Sequence, residues 1–187
     1  MNKLLRGLLF LGVFVVTLVV SFNRTKANIL FEAIHAGNEA RAIEIVKAHP
    51  NYIGQTYAVR HQQGEDSYWV DGGETALHEA ARAGMDQLVA AMVEADQVDI
   101  DLQDKQGRTP MYLAAVLGVK GNPDKVVDAL IAGGADINNG KPGLTLVSEV
   151  LQRKRTAIAR KLVDAGAKTT PDDLAELAKL EKESPES

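Results

Sequence analysis

The chain has 187 residues and 45% of them are hydrophobic, which suits one folded domain of ordinary size. The formal net charge of −4 gives no basic footprint for nucleic acid. The absence of cysteine excludes disulfides, thiolate metal sites, a cysteine nucleophile and a lipid-anchor cysteine.

Met1–Arg6 carries Lys3 and Arg6, and Leu8–Phe22 is apolar apart from Gly12, Thr17 and Ser21. Arg24 and Lys26 close the run. A basic start followed by about 7–15 apolar residues has the form of a secretory signal, here covering residues 1–27. Val19 and Ser21 admit a cut after Ser21. Leu4–Phe22 also reaches the ~20 apolar residues of a spanning helix if Arg6 snorkels. A cleaved signal, an uncleaved membrane anchor and a buried core helix therefore stay open. The first two place the folded part in the periplasm, soluble or held in the inner membrane, with Lys3 and Arg6 on the cytoplasmic side.

Ile29–Gly37 lines up with Ala76–Gly84, and Ile45-Val46 falls where Met92-Val93 fall. Residues 28–49 therefore predict a degenerate first repeat of two short helices, with Asn28 as a cap. Between Pro50 and Gly72 the period breaks. This stretch holds Tyr52, Tyr57, Tyr68 and Trp69, which are three of the four tyrosines and the only tryptophan. Tyr57–Val59 and Ser67–Val70 are β-prone, with Gln62–Asp66 as a turn. Such aromatic enrichment argues for order. Two uses for the aromatics stay open, a cover over the first two repeats and a binding surface, and some can serve each.

Gly73–Ala81 reads Gly-Glu-Thr-Ala-Leu-His-Glu-Ala-Ala, and Gly107–Ala115 reads Gly-Arg-Thr-Pro-Met-Tyr-Leu-Ala-Ala. Thr75 and Thr109 stand 34 positions apart, a period that indicates stacked units. Each Thr opens a helix, and Pro110 suits a first turn. Gly84 and Gly118 are predicted to end the first helices, and Leu88–Val93 and Val126–Ile131 make the second ones. Lys120–Asp124 is an insertion between the helices of its unit, placed to lengthen one edge of the stack and meet a partner. Gly143–Ser148 opens a further unit, with Ile158, Leu162 and Val163 in its outer helix. Gln152–Arg155 is the only dense basic cluster, read as a solvated turn or a patch for an acidic partner. Thr170–Asp173 starts a capping helix over 169–183, and 184–187 form a loose tail.

The two strings resemble the ankyrin repeat, whose best-known motif is Thr-Pro-Leu-His followed by Ala-Ala, and Gly133–Asn138 is similar to the family's Gly-Ala-Asp-x-Asn ending. The resemblance covers 28–168, with units at 28–49, 73–106, 107–142 and 143–168. It implies an all-α solenoid of stacked helix pairs with β-hairpin fingers; the broken period enlarges one finger at 50–72, and the apolar run adds an N-terminal targeting helix. It also implies that His78 ties a helix start to the neighbouring turn, with Tyr112 and Ser148 in its place in later units. Catalysis at His78 and Glu79 finds no companion nucleophile or second base in the sequence.

Ankyrin domains bind proteins through the fingers and the concave helical face. The expected role is a non-catalytic protein-binding module without cofactor, metal or nucleic acid. The partner is expected to be a secreted or periplasmic enzyme or toxin, in an inhibitor or immunity relationship. A membrane-tethered scaffold in an envelope complex is the alternative. The expected partner-binding residues are Tyr52, Tyr57, Tyr68, Trp69, Asp104 and Asn139.

Overall fold

In the computed structural model the described residues are 29–63, 66–118, 120–139 and 144–183, and for 57–72 the description is of the backbone alone. A helix over 29–35 (α1) is followed by α2 (Glu39–Ala48) and a 3₁₀ turn at Pro50–Tyr52. The hairpin β1 (Thr56–Gln63) and β2 (Asp66–Thr75) comes next. Then follow α3 (Ala76–Ala83) and α4 (Asp86–Glu94), and the short α5 (Pro110–Tyr112), which runs into a π turn at Leu113–Leu117. The chain continues through α6 (Pro123–Ala132), α7 (Leu146–Gln152), α8 (Thr156–Asp164) and α9 (Pro171–Glu183).

Helices of one kind stack on their own kind. α3 packs on α5, and α7 packs on the π turn that continues α5. α2, α4, α6 and α8 form the other row. α9 lies against α7 and α8 and closes the stack. The core runs between the two rows. Leu30, Leu77, Met111 and Leu146 face it from the first helices, and Leu88, Leu130 and Leu162 from the second. Ala80, Ala81, Ala114 and Ala115 are fully buried, and these small side chains let neighbouring helices approach closely.

The turns between paired helices follow one rule with one exception. Gly37 and Gly84 take left-handed backbone after α1 and α3, and Lys154 does so after α7 at φ 57°. Gly118 does not, with φ −63° and ψ 112°. Gly118 ends its helix as expected, but with extended backbone. The helix before it widens into a π turn, whose last carbonyls need other donors. Arg155 supplies them. Its Nη1 donates to the carbonyls of Ala114 and Ala115 at 3.1 and 3.2 Å, and its Nη2 donates to Gly118. Arg155 is thus engaged inside the molecule, while Gln152, Arg153 and Lys154 are exposed.

The insertion also has a partner inside the molecule. The Asn122 N–H donates to the Gly84 carbonyl at 2.8 Å, and its side chain donates to Asp86 at 2.8 Å. A Cβ at Gly121 would stand 2.3 Å from that same Gly84 oxygen, so only glycine allows the two turns to touch. Asn122 thus ties this edge to the neighbouring repeat, while Lys120 and Gly121 stay exposed.

The enlarged finger is an antiparallel hairpin, with longer strands than predicted. Gln62 pairs Ser67 and Gln63 pairs Asp66, which narrows the predicted turn to two positions that lie outside the described residues. The targeting segment 1–27, the Asn28 cap and the tail 184–187 lie outside them as well. No helix among the described residues is long and apolar enough to cross a membrane.

Candidate functional site

The hairpin is joined to the stack at its base. Between Thr56↔Thr75 and Ala58↔Asp71 the register shifts, with three β2 residues, Gly72 to Glu74, opposite Tyr57. Such a bulge re-aims the strand end. Gly73 sits there at φ +73°, and a Cβ on it would lie 3.1 Å from the Lys105 nitrogen. The hairpin base therefore rests on the next inter-repeat turn.

Asp104 builds that turn. Its Oδ1 accepts from the N–H groups of Gln106 and Arg108 at 2.8 and 2.9 Å, and its Oδ2 accepts from Arg108 Nε at 2.6 Å. Arg108 then donates through Nη2 to Glu74 Oε1 at 2.6 Å. Glu74 and Arg108 occupy the same place in successive units, in Gly-Glu-Thr and Gly-Arg-Thr. Stacking brings these opposite charges together.

Glu74 also lines a groove of about 930 Å³ that runs past the first three helix pairs. Ile34, Met85 and Leu117 supply apolar wall, and Glu79, Arg82 and Lys120 supply charge. Glu79 is buried at 6% exposure. It is paired with Arg82 and lies 3.7 Å from the His35 ring. Burial pushes Glu74 up to about 7, helped by a hydrogen bond and the negative charge of Glu79 and opposed by Arg82 and Arg108. Glu74 therefore keeps its proton up to near neutrality.

The residue three after each helix-opening Thr ties one unit to the next. His78 Nδ1 accepts from the Thr75 N–H at 3.2 Å, so the proton sits on Nε2, which donates to the Arg108 carbonyl at 3.1 Å. Burial lowers the His78 pKa, against the hydrogen bond to Arg108 and the Asp104 charge. Tyr112 donates to Glu149 at 2.7 Å, and Ser148 donates to Asp173 at 2.6 Å. The tie that the resemblance implied for His78 is present. A buried neutral imidazole used on both nitrogens has no lone pair to offer a substrate.

The six expected partner-binding residues divide. Tyr52 is 4% exposed and stacks on His49 with ring centroids 4.9 Å apart, so it belongs to the core. Asp104 is 5% exposed and spends its oxygens on its own turn. Both expectations are corrected, because sequence shows a polar or aromatic residue in a loop but not which way it turns. Asn139 is part-exposed and accepts from Gln103 at 3.2 Å, which joins two finger tips. Tyr57, Tyr68 and Trp69 lie on the hairpin backbone, at the bulge, opposite His61 and opposite Arg60. Their side chains lie outside the described residues.

Sequence reasoning passed over Glu74, Arg82, Arg108 and His35. The available signal was the charge reversal at one repeat position, which is visible once the units are aligned. No group of three or more His, Cys, Asp or Glu able to hold a metal occurs among the described residues.

A family model described as ankyrin repeats (3 copies) matches residues 30–141, more than half of the chain. The structure continues beyond the match, with α7 and α8 as a fourth helix pair and α9 as a cap.

Proposed function

This chain belongs to the ankyrin-repeat family, and from that premise we propose that it is a non-catalytic inhibitor or immunity protein that binds one partner enzyme in the bacterial periplasm. Ankyrin repeats mediate binding to another protein, and the specific form rests on how this stack departs from a uniform one. A single finger is enlarged into a hairpin, and its last residues form part of the groove. Glu74 belongs to both, as a β2 residue and as groove lining. That continuity is the observation that carries the reading. Tyr57, Tyr68 and Trp69 sit on the hairpin, and Tyr and Trp supply rigid contact area at little entropic cost. The basic start and apolar run of Met1–Phe22 support export.

The length of Leu4–Phe22 favours a second reading, a scaffold held in the inner membrane within an envelope complex. Capture of partners by the tagged full-length chain from an envelope extract separates the two. One stoichiometric enzyme, losing activity as the chain is added, supports the inhibitor. Several envelope proteins without inhibition support the scaffold. Joint replacement Tyr68→Ala and Trp69→Ala is expected to abolish capture, and undiminished capture removes the hairpin from the interface.

A further inference from the structure

Among the described residues the hairpin is a sheet of two strands with no third strand on either edge. Such an edge presents a row of backbone N–H and C=O groups that another strand can take up. The two edges are not alike. β2 is bulged at Gly72–Glu74, its base rests on the Lys105 turn, and it carries Asp66, Asp71 and Glu74. β1 reads Thr-Tyr-Ala-Val-Arg-His-Gln-Gln, with no proline, glycine or acid, and Arg60 is its one fixed charge. It lacks the devices that keep edge strands apart. A two-stranded ribbon is marginally stable at best, and added strands make it a firm sheet.

We propose that β1 pairs antiparallel with β1 of a second copy of this chain, Val59 on Val59, so that two hairpins join into one four-stranded sheet. This goes beyond the partner-binding reading and does not depend on it. Symmetry and charge set the register. A two-fold axis between antiparallel strands keeps each residue on its own face of the sheet, so the axis must fall at a residue. Axes at Val59 and at Arg60 give the longest overlaps, over 56–62 and 57–63. At Arg60 two like charges stand directly opposite, which is unfavourable. At Val59 no like charges meet, because Ala58 faces Arg60, Tyr57 faces His61 and Thr56 faces Gln62 of the second copy. Within each hairpin Val59 pairs Val70 and His61 pairs Tyr68. The joined sheet therefore carries one cross-strand row of Val70 and Val59 from both copies, flanked by Tyr68, His61 and Tyr57 on the same face. Cross-strand pairs of β-branched and aromatic residues are the stabilising unit of a sheet.

The chain has no cysteine, so a single introduced thiol reports its own neighbours. The full-length chain is oxidised with copper–phenanthroline as Val59→Cys, as Gln62→Cys, and as a mixture of Tyr57→Cys with His61→Cys. A disulfide needs Cβ atoms about 3.5–4.5 Å apart. Val59→Cys and the mixture are expected to give covalent dimers. Gln62→Cys is expected to cross-link at least about tenfold more slowly, since each Gln62 faces Thr56 and stands far from the other Gln62. Val59→Lys puts two like charges at the axis. It is expected to raise the dimer dissociation constant about fivefold or more in sedimentation equilibrium, with helical content unchanged. A monomeric wild-type chain, equal cross-linking at positions 59 and 62, or unchanged association in Val59→Lys overturns the proposal. A monomer whose β1 edge takes a strand from another protein overturns it as well.

Discussion

His78 Nε2 and the carbonyl of Arg108 lie 3.1 Å apart, and this contact crosses from the second repeat to the third. The other ring nitrogen holds the start of α3 through the Thr75 N–H. One buried ring therefore caps a helix and joins two units. His78→Ala removes both bonds and leaves buried groups unpaired, so unfolding in urea is expected to show a loss of about 2–3 kcal/mol. The pH dependence has a definite sign. The folded pKa lies below the ordinary imidazole value, so the unfolded state binds the extra proton as pH falls past about 6.5. Wild-type stability should fall with pH in that window, and the part due to His78 should vanish in His78→Asn. An identical slope in both proteins would refute the neutral, doubly bonded ring.

Arg155 is the staple between the third and fourth units. Its guanidinium satisfies carbonyls of Ala114, Ala115 and Gly118 at the end of the π turn. Arg155→Ala should cost about 2–3 kcal/mol, measured by equilibrium denaturation. Arg155→Lys should recover less than half, because one ammonium cannot reach three carbonyls in fork geometry. Full rescue by lysine would mean that charge alone matters there.

Two non-glycine residues occupy turns where other units use glycine. Asp96 at φ 48° stands where Gly134 and Gly166 stand, at φ 83° and 89°, and Lys154 at φ 57° stands where Gly37 and Gly84 stand. Left-handed backbone is unfavourable for residues with a Cβ. Asp96→Gly and Lys154→Gly should each raise stability by roughly 0.5–1 kcal/mol. The gains should add, since the sites are in different units. A drop in the melting temperature of either variant would show that its side chain contributes more than its backbone costs.

These turns also show where sequence was informative. Thr75, Thr109 and Thr145 announce their helices because a cap needs a short oxygen side chain at one place in each period, and all three open helices. Ala80-Ala81 and Ala114-Ala115 announce close packing for a similarly local reason. Gly118 marks its helix end correctly, but its extended backbone was not legible, because a glycine's backbone depends on where the chain goes next, and here an added Lys120–Asn122 turn must reach Gly84. Arg155 was unreadable for the converse reason: its acceptors lie about 40 residues earlier and are backbone carbonyls, which carry no residue-type signal. Tyr52 and Asp104 were assigned to the binding surface by residue type, and burial decided otherwise. The hairpin was legible from β-prone runs and broken periodicity, and its bulge was not, since two added residues at Gly72–Glu74 look like any glycine-rich loop.

Glu74 should tilt stability against pH in the opposite sense to His78. Glu74 is held up to about 7 in the folded chain, against about 4.3 for an ordinary glutamate. Between those values the folded state carries more protons than the unfolded state. The contribution of this proton is complete below about pH 4 and is lost as pH rises through 7. Glu74→Gln removes the ionisation and keeps a hydrogen-bonding side chain beside Glu79, Arg82 and Arg108. Its stability relative to wild type should therefore rise between pH 5 and pH 8, in urea titrations of both proteins at each pH. His78 is present in both chains, so its own slope cancels in the difference. Arg108 retains Asp104 in the variant, so the lost Glu74–Arg108 pair lowers the curve without changing its direction. A difference that is flat with pH would show that Glu74 does not hold its proton in the folded chain near neutrality.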